Sequence, residues 1–201
     1  MTRRFLGWAL ALGLMLFAAP TWAQVAGARA GDRVVGRASA PVTLTAYVSA
    51  TCGHCARWHA LDWPHIQERW VATGKVKVVF RDFFTGPRES ALKGSVLARC
   101  APEDRFDAVM GALMGGQADL HELRDEAKWL RRGAMAGGLS DSEASACLAD
   151  ANGIAAAERR DAQAQADGVM GTPFFFLNGR PLEAWTLSEF DAALAAAVGG
   201  R

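Results

Sequence analysis

No block of like charge runs through the 201 residues: 22 lysines and arginines face 21 aspartates and glutamates, a formal net of +1. Nothing exceeds a solvated helix face, so no nucleic-acid partner is expected. No internal repeat is visible. Residues Phe5 to Ala19 are apolar and uncharged, but these 15 residues fall short of the roughly 20 that a spanning helix needs. Arg3 and Arg4 precede that run, Pro20 breaks it, and Thr21-Trp22-Ala23 offers small residues before Gln24. This is the pattern of a cleaved secretory signal peptide over residues 1–23. It has no cysteine near its end for lipid attachment, so no membrane anchor is expected after cleavage.

Removing that segment leaves 178 residues with 20 basic against 21 acidic side chains, a net of −1. That length suffices for one core plus an insertion. Cysteine is scarce, four in all, and in an exported chain four point to an oxidising compartment. Four allow three connectivities. With only two residues between them, Cys52 and Cys55 are the natural pair, which leaves Cys100 with Cys147.

Taken in order, Gln24 to Ala40 is a Gly- and Ala-rich leader in which Val34-Val35 can form a short edge strand. Pro41 opens a β-branched, apolar run, Val42 to Ser49, suited to a strand buried on both faces. A helix starts at the cysteines and runs to about Val71, kinked by Pro64. Trp58, Leu61, Ile66 and Trp70 make its apolar stripe. Lys75 to Phe80 reads as a second strand, parallel to the first.

From Arg88 to about Asp167 no strand is convincing. Helices are expected over 89–101, 102–114, 120–135, 140–151 and 154–166, with Pro102 at a first helical position and a capping box at Ser140-Asp-Ser-Glu143. Phe174 to Leu177, Asn178-Gly179 and Arg180 to Leu182 then read as a hairpin. A second capping box, Thr186 to Glu189, opens a final amphipathic helix through Phe190, Leu194 and Val198. The expected class is α/β: a βαβ…ββα domain from residues 24–84 and 168–201, interrupted by an all-helical insertion over 85–167.

The strand that feeds Cys52-Gly53-His54-Cys55 into a helix start is a redox signature with a local physical basis. A helix N-terminus presents unpaired N–H groups and the positive end of the dipole, both favouring a thiolate at Cys52. Together with Gly171-Thr172-Pro173 about 120 residues later and the helices between, the chain resembles the DsbA-like thiol–disulfide oxidoreductases of the thioredoxin superfamily. The resemblance spans about residues 30 to 198. It implies a periplasmic enzyme that passes disulfides to unfolded or partly folded exported polypeptides, recycled by a membrane redox partner. No cofactor and no metal is expected.

The resemblance makes Cys52 the exposed nucleophile and Cys55 the buried resolving thiol. Gly53 fits the tight turn, and the His54 imidazole is placed to stabilise the Cys52 thiolate. Pro173 is expected to be cis, with Thr172 offering its backbone N–H and C=O to an extended substrate. Cys100–Cys147 is expected as a structural disulfide. Gly-His between the cysteines is the pair of protein disulfide isomerase, whose potential is about −180 mV, against about −270 for thioredoxin and about −120 for DsbA. An oxidant milder than DsbA by about 3 kcal/mol follows. One departure stands out: the buried acid that many relatives carry six residues before the first cysteine is here Ala46. Lys75 and Lys77, on the second strand, are candidates to approach the site instead.

Other chemistries fit less well. A c-type haem needs histidine directly after the second cysteine, and residue 56 is Ala. Cys52, Cys55 and His59 could bind a soft metal, but the helix turns Cys55 inward; His65 and His121 read as surface residues. A disulfide isomerase of the same fold is the main rival, yet the 17 residues from Gln24 to Ala40 are too few for a dimerisation segment. A reductase is the third. An apolar groove for unfolded chains is expected between the insertion and the hairpin, fed by Phe83, Phe84, Val169 or Met170, with core packing of the phenylalanines as the alternative.

Overall fold

A computed structural model describes Val25, Gly27 and residues 29–200; the segment read as a signal peptide lies outside the described residues. Among the described residues the backbone builds five strands: β1 (Arg33–Val35), β2 (Val42–Val48), β3 (Val76–Asp82), β4 (Phe174–Leu177) and β5 (Arg180–Leu182). They form one sheet in the order β1-β3-β2-β4-β5, with β2 and β3 parallel and every other pair antiparallel. Strand β2 is central because six of its seven side chains are buried. Val42, Leu44, Ala46 and Val48 enter the main core, while Tyr47 packs on the other face with Phe176, Val169 and Ala164.

After β2 come α1 (Gly53–Leu61), α2 (Trp63–Ile66) and a π-helical turn (Gln67–Val71). The kinked helix expected here is divided at Asp62, which keeps αR angles and donates to Trp58 O, and Pro64 sits in the first turn of α2. The break turns Trp63 and Ile66 into the core and leaves Leu61 at 57 % exposure, so Leu61 is not part of the buried stripe. Trp63 stacks on Trp58 at 5.6 Å and meets Phe80 edge-on at 5.3 Å.

Two aspartates hold this interrupted helix from opposite sides. Asp107 accepts from Trp63 Nε1 (2.9 Å) and Gln67 Nε2 (3.1 Å), and it pairs with His59 (3.1 Å). Asp191 accepts from Trp70 Nε1 (2.7 Å) and meets His65 Nε2 at 2.9 Å.

Six α-helices lie between β3 and β4: α3 (Arg88–Cys100), α4 (Phe106–Gly115), α5 (Gln117–His121), α6 (Glu126–Gly137), α7 (Asp141–Ala149) and α8 (Ala151–Ala166). The last, α9 (Leu187–Gly199), follows β5. Both capping boxes are formed, at Ser140 and at Thr186. Pro102 does not start α4, since a 3₁₀ turn over Glu103–Arg105 intervenes. The helix expected over 120–135 is two helices, parted where Arg124 adopts φ 55° and Asp125 caps α6 by accepting from Lys128 N–H. Trp129 of α6 is fully buried and donates from Nε1 to Leu113 O at 2.8 Å, which locks α6 against α4. No helix among the described residues is long and apolar enough to cross a membrane.

The block is tied to the sheet by a buried charge cluster. Asp82, at the end of β3, accepts from Arg99 Nε (2.9 Å) and Nη2 (3.0 Å), Arg160 Nε (2.6 Å) and Ser95 Oγ (2.8 Å). Burial alone would raise its pKa, but the two guanidinium groups override that and hold it at about 2. The leader joins the fold in the same way, through Arg81 donating to Asp32 from Nε and Nη2, each at 2.9 Å, and through Arg29 paired with Asp167. Cys100, the last residue of α3, is bonded to Cys147 of α7, with Cα atoms 6.0 Å apart and a sequence separation of 47.

Two outcomes follow. Replacing Cys100 and Cys147 by serine frees a closed loop whose entropy is worth about 4 kcal/mol, and thermal melting will show a clear loss while the Cys52 thiol titrates as before. Asp82→Asn leaves two buried arginines uncompensated and costs about 3–5 kcal/mol in denaturant unfolding. Because the folded pKa of Asp82 is depressed, its contribution is present above its unfolded pKa, 3.8, and disappears as pH falls towards about 2. The wild-type and Asn proteins should therefore converge in stability at that acidic end.

Candidate active site

The site begins where β2 ends. Ser49 and Thr51 are buried and share a hydrogen bond of 3.1 Å, and Thr51 Oγ1 donates to Thr85 O at 3.2 Å, which fixes the loop against the segment after β3. Cys52 is the N-cap of α1, with extended backbone angles (φ −84°, ψ 121°) and no side chain capping the helix. Its sulfur is therefore the group that faces the open N–H donors of the first turn.

Cys52 is half-buried and Cys55 is completely buried, both as free thiols. Cys52 Sγ donates to Thr172 O at 3.2 Å, across the cis Thr172–Pro173 peptide. The two sulfurs are driven apart in acidity. A hydrogen bond from the Cys55 thiol, one from the Thr172 hydroxyl, and the N–H groups of Cys55 and His54 outweigh burial and bring the Cys52 pKa down to about 5. Burial first, and then the Cys52 sulfur, push Cys55 well above its ordinary value.

Several expected residues act differently from their expected roles. His54 reaches Cys52 through its backbone N–H, and its side chain is exposed. Thr172 accepts from the Cys52 thiol at its carbonyl, while its hydroxyl favours a thiolate at either sulfur. Ala46 is fully buried, cross-strand from Phe80 and Phe175. Neither lysine takes its place: Lys77 donates to Ala38 O, and Lys75 lies over the Trp70 ring. His59 is engaged by Asp107, and no cluster able to hold a metal occurs among the described residues. Gly86–Pro87 is a second cis bond, which the sequence did not announce.

The expected groove has other walls. Phe84 packs with Ala91, Val96 and Ala157, Val169 is buried beside Tyr47 and Phe176, and Phe83 packs against that same cluster. Met170 is 92 % exposed. A groove of about 480 Å³ instead runs from α1 to the hairpin, lined by Trp58, Thr172, Pro173, Phe174, Leu182 and Trp185 among others. Trp185 stands at its rim, 82 % exposed. Hydrophobic periodicity could not single out this residue, because it lies in the loop between β5 and α9.

Gln117 and His121 were also missed as site residues. Gln117 donates to Ala50 O and Cys52 O, and His121 meets Thr51 O. Nothing in the local sequence of α5 signals this contact, which exists only once the helices are folded.

Reduced protein followed by thiolate absorbance should lose its Cys52 anion with a midpoint at about 5. In Cys55→Ala the midpoint moves up towards the ordinary thiol value, because the strongest single donor is gone. An unchanged midpoint in that variant would show that the sulfur–sulfur contact is unimportant.

Comparison with known proteins agrees with this architecture. The solved structure of Wolbachia pipientis alpha-DsbA1 superposes with a TM-score of 0.81 at 22% identity, covering 90% of this chain and 97% of that one. A protein-disulfide isomerase from Novosphingobium aromaticivorans gives 0.70 at 20% identity, over 84% and 97% of the two chains. The fold is thus the thioredoxin fold with a helical insertion. A relative from Rickettsia bellii, provisionally named a protein-disulfide oxidoreductase, is 26% identical over 169 residues, 83% of this chain and 64% of its own length. The chain therefore spans less than two thirds of that relative. Residues 28–196 match the family model Thioredoxin_4, described as thioredoxin, and the chain belongs to that family.

Proposed function

We propose that this chain is an exported thiol:disulfide oxidoreductase that introduces disulfides into periplasmic or secreted proteins through Cys52 and Cys55. Residues 24–84 and 168–201 carry the chemistry, and residues 85–167 form a helical insertion beside it. The observation that carries the reading is the split in acidity between the two sulfurs, with Cys52 at about 5 and Cys55 well above its ordinary value. A stabilised Cys52 thiolate lowers the free energy of the reduced form, so the oxidised form gives its disulfide away readily.

In the forward direction a substrate thiolate attacks Cys52 Sγ of the Cys52–Cys55 disulfide. The S–S bond breaks, Cys55 leaves with the electron pair and takes up a proton, and a mixed disulfide remains on Cys52. A second substrate thiolate then attacks the substrate sulfur, and Cys52 departs as a thiolate. Two electrons pass from the substrate dithiol to the enzyme. The low pKa makes Cys52 a good leaving group in this second step. If no second thiol arrives, Cys55 attacks Cys52 and releases the substrate unchanged. After the productive exchange the enzyme is left as the dithiol, and a membrane redox partner takes up its two electrons and restores the disulfide.

Unfolded or partly folded exported chains are the natural substrates. The groove beside the cis-proline supplies an apolar floor and one exposed indole, Trp185, rather than a deep selective pocket. A Cys52 pKa of about 5 lies between about 7 for thioredoxin and about 3.5 for DsbA. That supports an oxidant milder than DsbA, and it agrees with the Gly-His dipeptide. An isomerase of the same fold is the second reading, favoured by that same dipeptide.

Alkylation at harvest should find Cys52 and Cys55 mostly oxidised in the exported protein. Oxidised protein should form disulfides in a reduced, unfolded substrate, and Cys52→Ala should abolish the activity. A site trapped mostly as the dithiol would support the isomerase or reductase instead. Equilibration with glutathione at a potential as low as thioredoxin's, about −270 mV, would remove the oxidant reading altogether.

A further inference from the structure

Three successive backbone carbonyls lead into and through Cys52, and one short helix of the insertion holds all three. Gln117 Nε2 donates to Ala50 O at 2.8 Å and to Cys52 O at 3.0 Å. His121 Nε2 lies 3.2 Å from Thr51 O. A carbonyl oxygen can only accept, so His121 Nε2 carries a proton and is the donor. Both residues belong to α5 and lie four positions apart, on one face of the helix.

A helix of five residues does not hold its shape alone, so its grip on the loop depends on what anchors it. Asp119, between the two donors, turns the other way and accepts from Lys128 Nζ (2.8 Å) and Arg132 Nη2 (2.7 Å) of α6. Asp125 N–H closes back on Asp119 O at 2.8 Å, and Leu120 is buried in the main core. The donors are thus presented from a fixed base, and the active-site loop is the part they restrain.

The three carbonyls belong to three consecutive peptide planes. Fixing those planes fixes φ and ψ at both Thr51 and Cys52. At Cys52 these angles decide whether Sγ faces the first-turn N–H groups, the Cys55 thiol and Thr172, or turns out to solvent. The Cys52 carbonyl already accepts from Ala56 N–H at 3.0 Å, so helix formation alone constrains one side of the residue. Gln117 adds a second donor to that oxygen and spans to the plane two peptides earlier.

We propose that Gln117 is a positioning residue for thiol–disulfide exchange: its amide ties the Cys52–Gly53 peptide plane to the Ala50–Thr51 plane so that the thiolate stays at the helix N-terminus, and so strengthens the protein as an oxidant. Only the direction of exchange rests on the proposed function; the effect on the thiolate stands independently of it. Gln117 touches no reacting atom and acts through the backbone of Cys52.

The test uses Gln117→Met, which keeps the length and removes the donor, and Gln117→Glu, which faces the carbonyls with acceptors. Gln117→Asn keeps the amide on a shorter stem. Three quantities are read on each full-length variant: the Cys52 thiolate midpoint, the equilibrium constant with glutathione at pH 7, and the melting temperature. Met should raise the midpoint by about one pH unit and weaken the oxidising equilibrium about tenfold; Glu should do more, and Asn less. Leu123→Ala, an exposed position just beyond α5, should leave both values at wild type. If the Met, Glu and Asn variants titrate and equilibrate as wild type while only melting earlier, Gln117 is merely structural and the proposal falls. If wild type itself equilibrates like thioredoxin, the oxidant reading fails, yet a raised midpoint in Met and Glu still supports the role of Gln117 at the thiolate.

Discussion

Everything at this site depends on two sulfurs one helical turn apart that are not equivalent. If both were solvated alike, they would titrate alike and the disulfide would have no preferred point of attack. Here Cys55 is sealed in the core and serves as a donor, while Cys52 collects that donor together with the N–H groups of the helix start. The rest of the fold maintains the inequality. Strand β2 delivers Cys52 to the edge of the core, the Thr172–Pro173 peptide closes the opposite side, and the helix that begins at Gly53 buries Cys55 without turning Cys52 inward.

Much of this was legible in the residues, for reasons that differ from element to element. Strand β2 announced itself because a run of Val, Thr, Leu and Tyr buried on both faces has no other comfortable conformation. The capping boxes at Ser140 and Thr186 were readable because their chemistry is contained within four residues. The interruption beside Pro64 was legible, whereas the packing it permits, Trp63 on Trp58 and Phe80, is tertiary. The groove was misassigned for a similar reason. Phe84 and Val169 are as apolar as Phe174 and Trp185, and only the packing of α3 and α8 decides which of them is covered.

Polar roles were the hardest to read. Ala46 correctly marked a missing acid, but nothing local to Lys75 or Lys77 revealed that both turn away from the site. Asp82, marked by no motif, joins β3 to two separate helices through Arg99 and Arg160. A buried carboxylate with two guanidinium partners from distant segments leaves no periodic trace in any of the three. The leader shows the same effect: the partners of Arg29 and Asp32, which are Asp167 and Arg81, lie far along the chain.

The pair of aspartates flanking the interrupted helix bears on how a substrate enters. Asp107 belongs to the helical insertion and Asp191 to the C-terminal helix, and between them they hold His59, Trp63, Gln67, His65 and Trp70. The stretch from His59 to Trp70, just beyond Cys55, is therefore held from two sides, like a strut between two walls. Swinging the insertion outward would tear several bonds from Asp107, so it acts as a buttress and not as a door. The groove that passes over the hairpin to Trp185 has neither aspartate in its lining, so a chain laid along it would leave both sets of bonds intact.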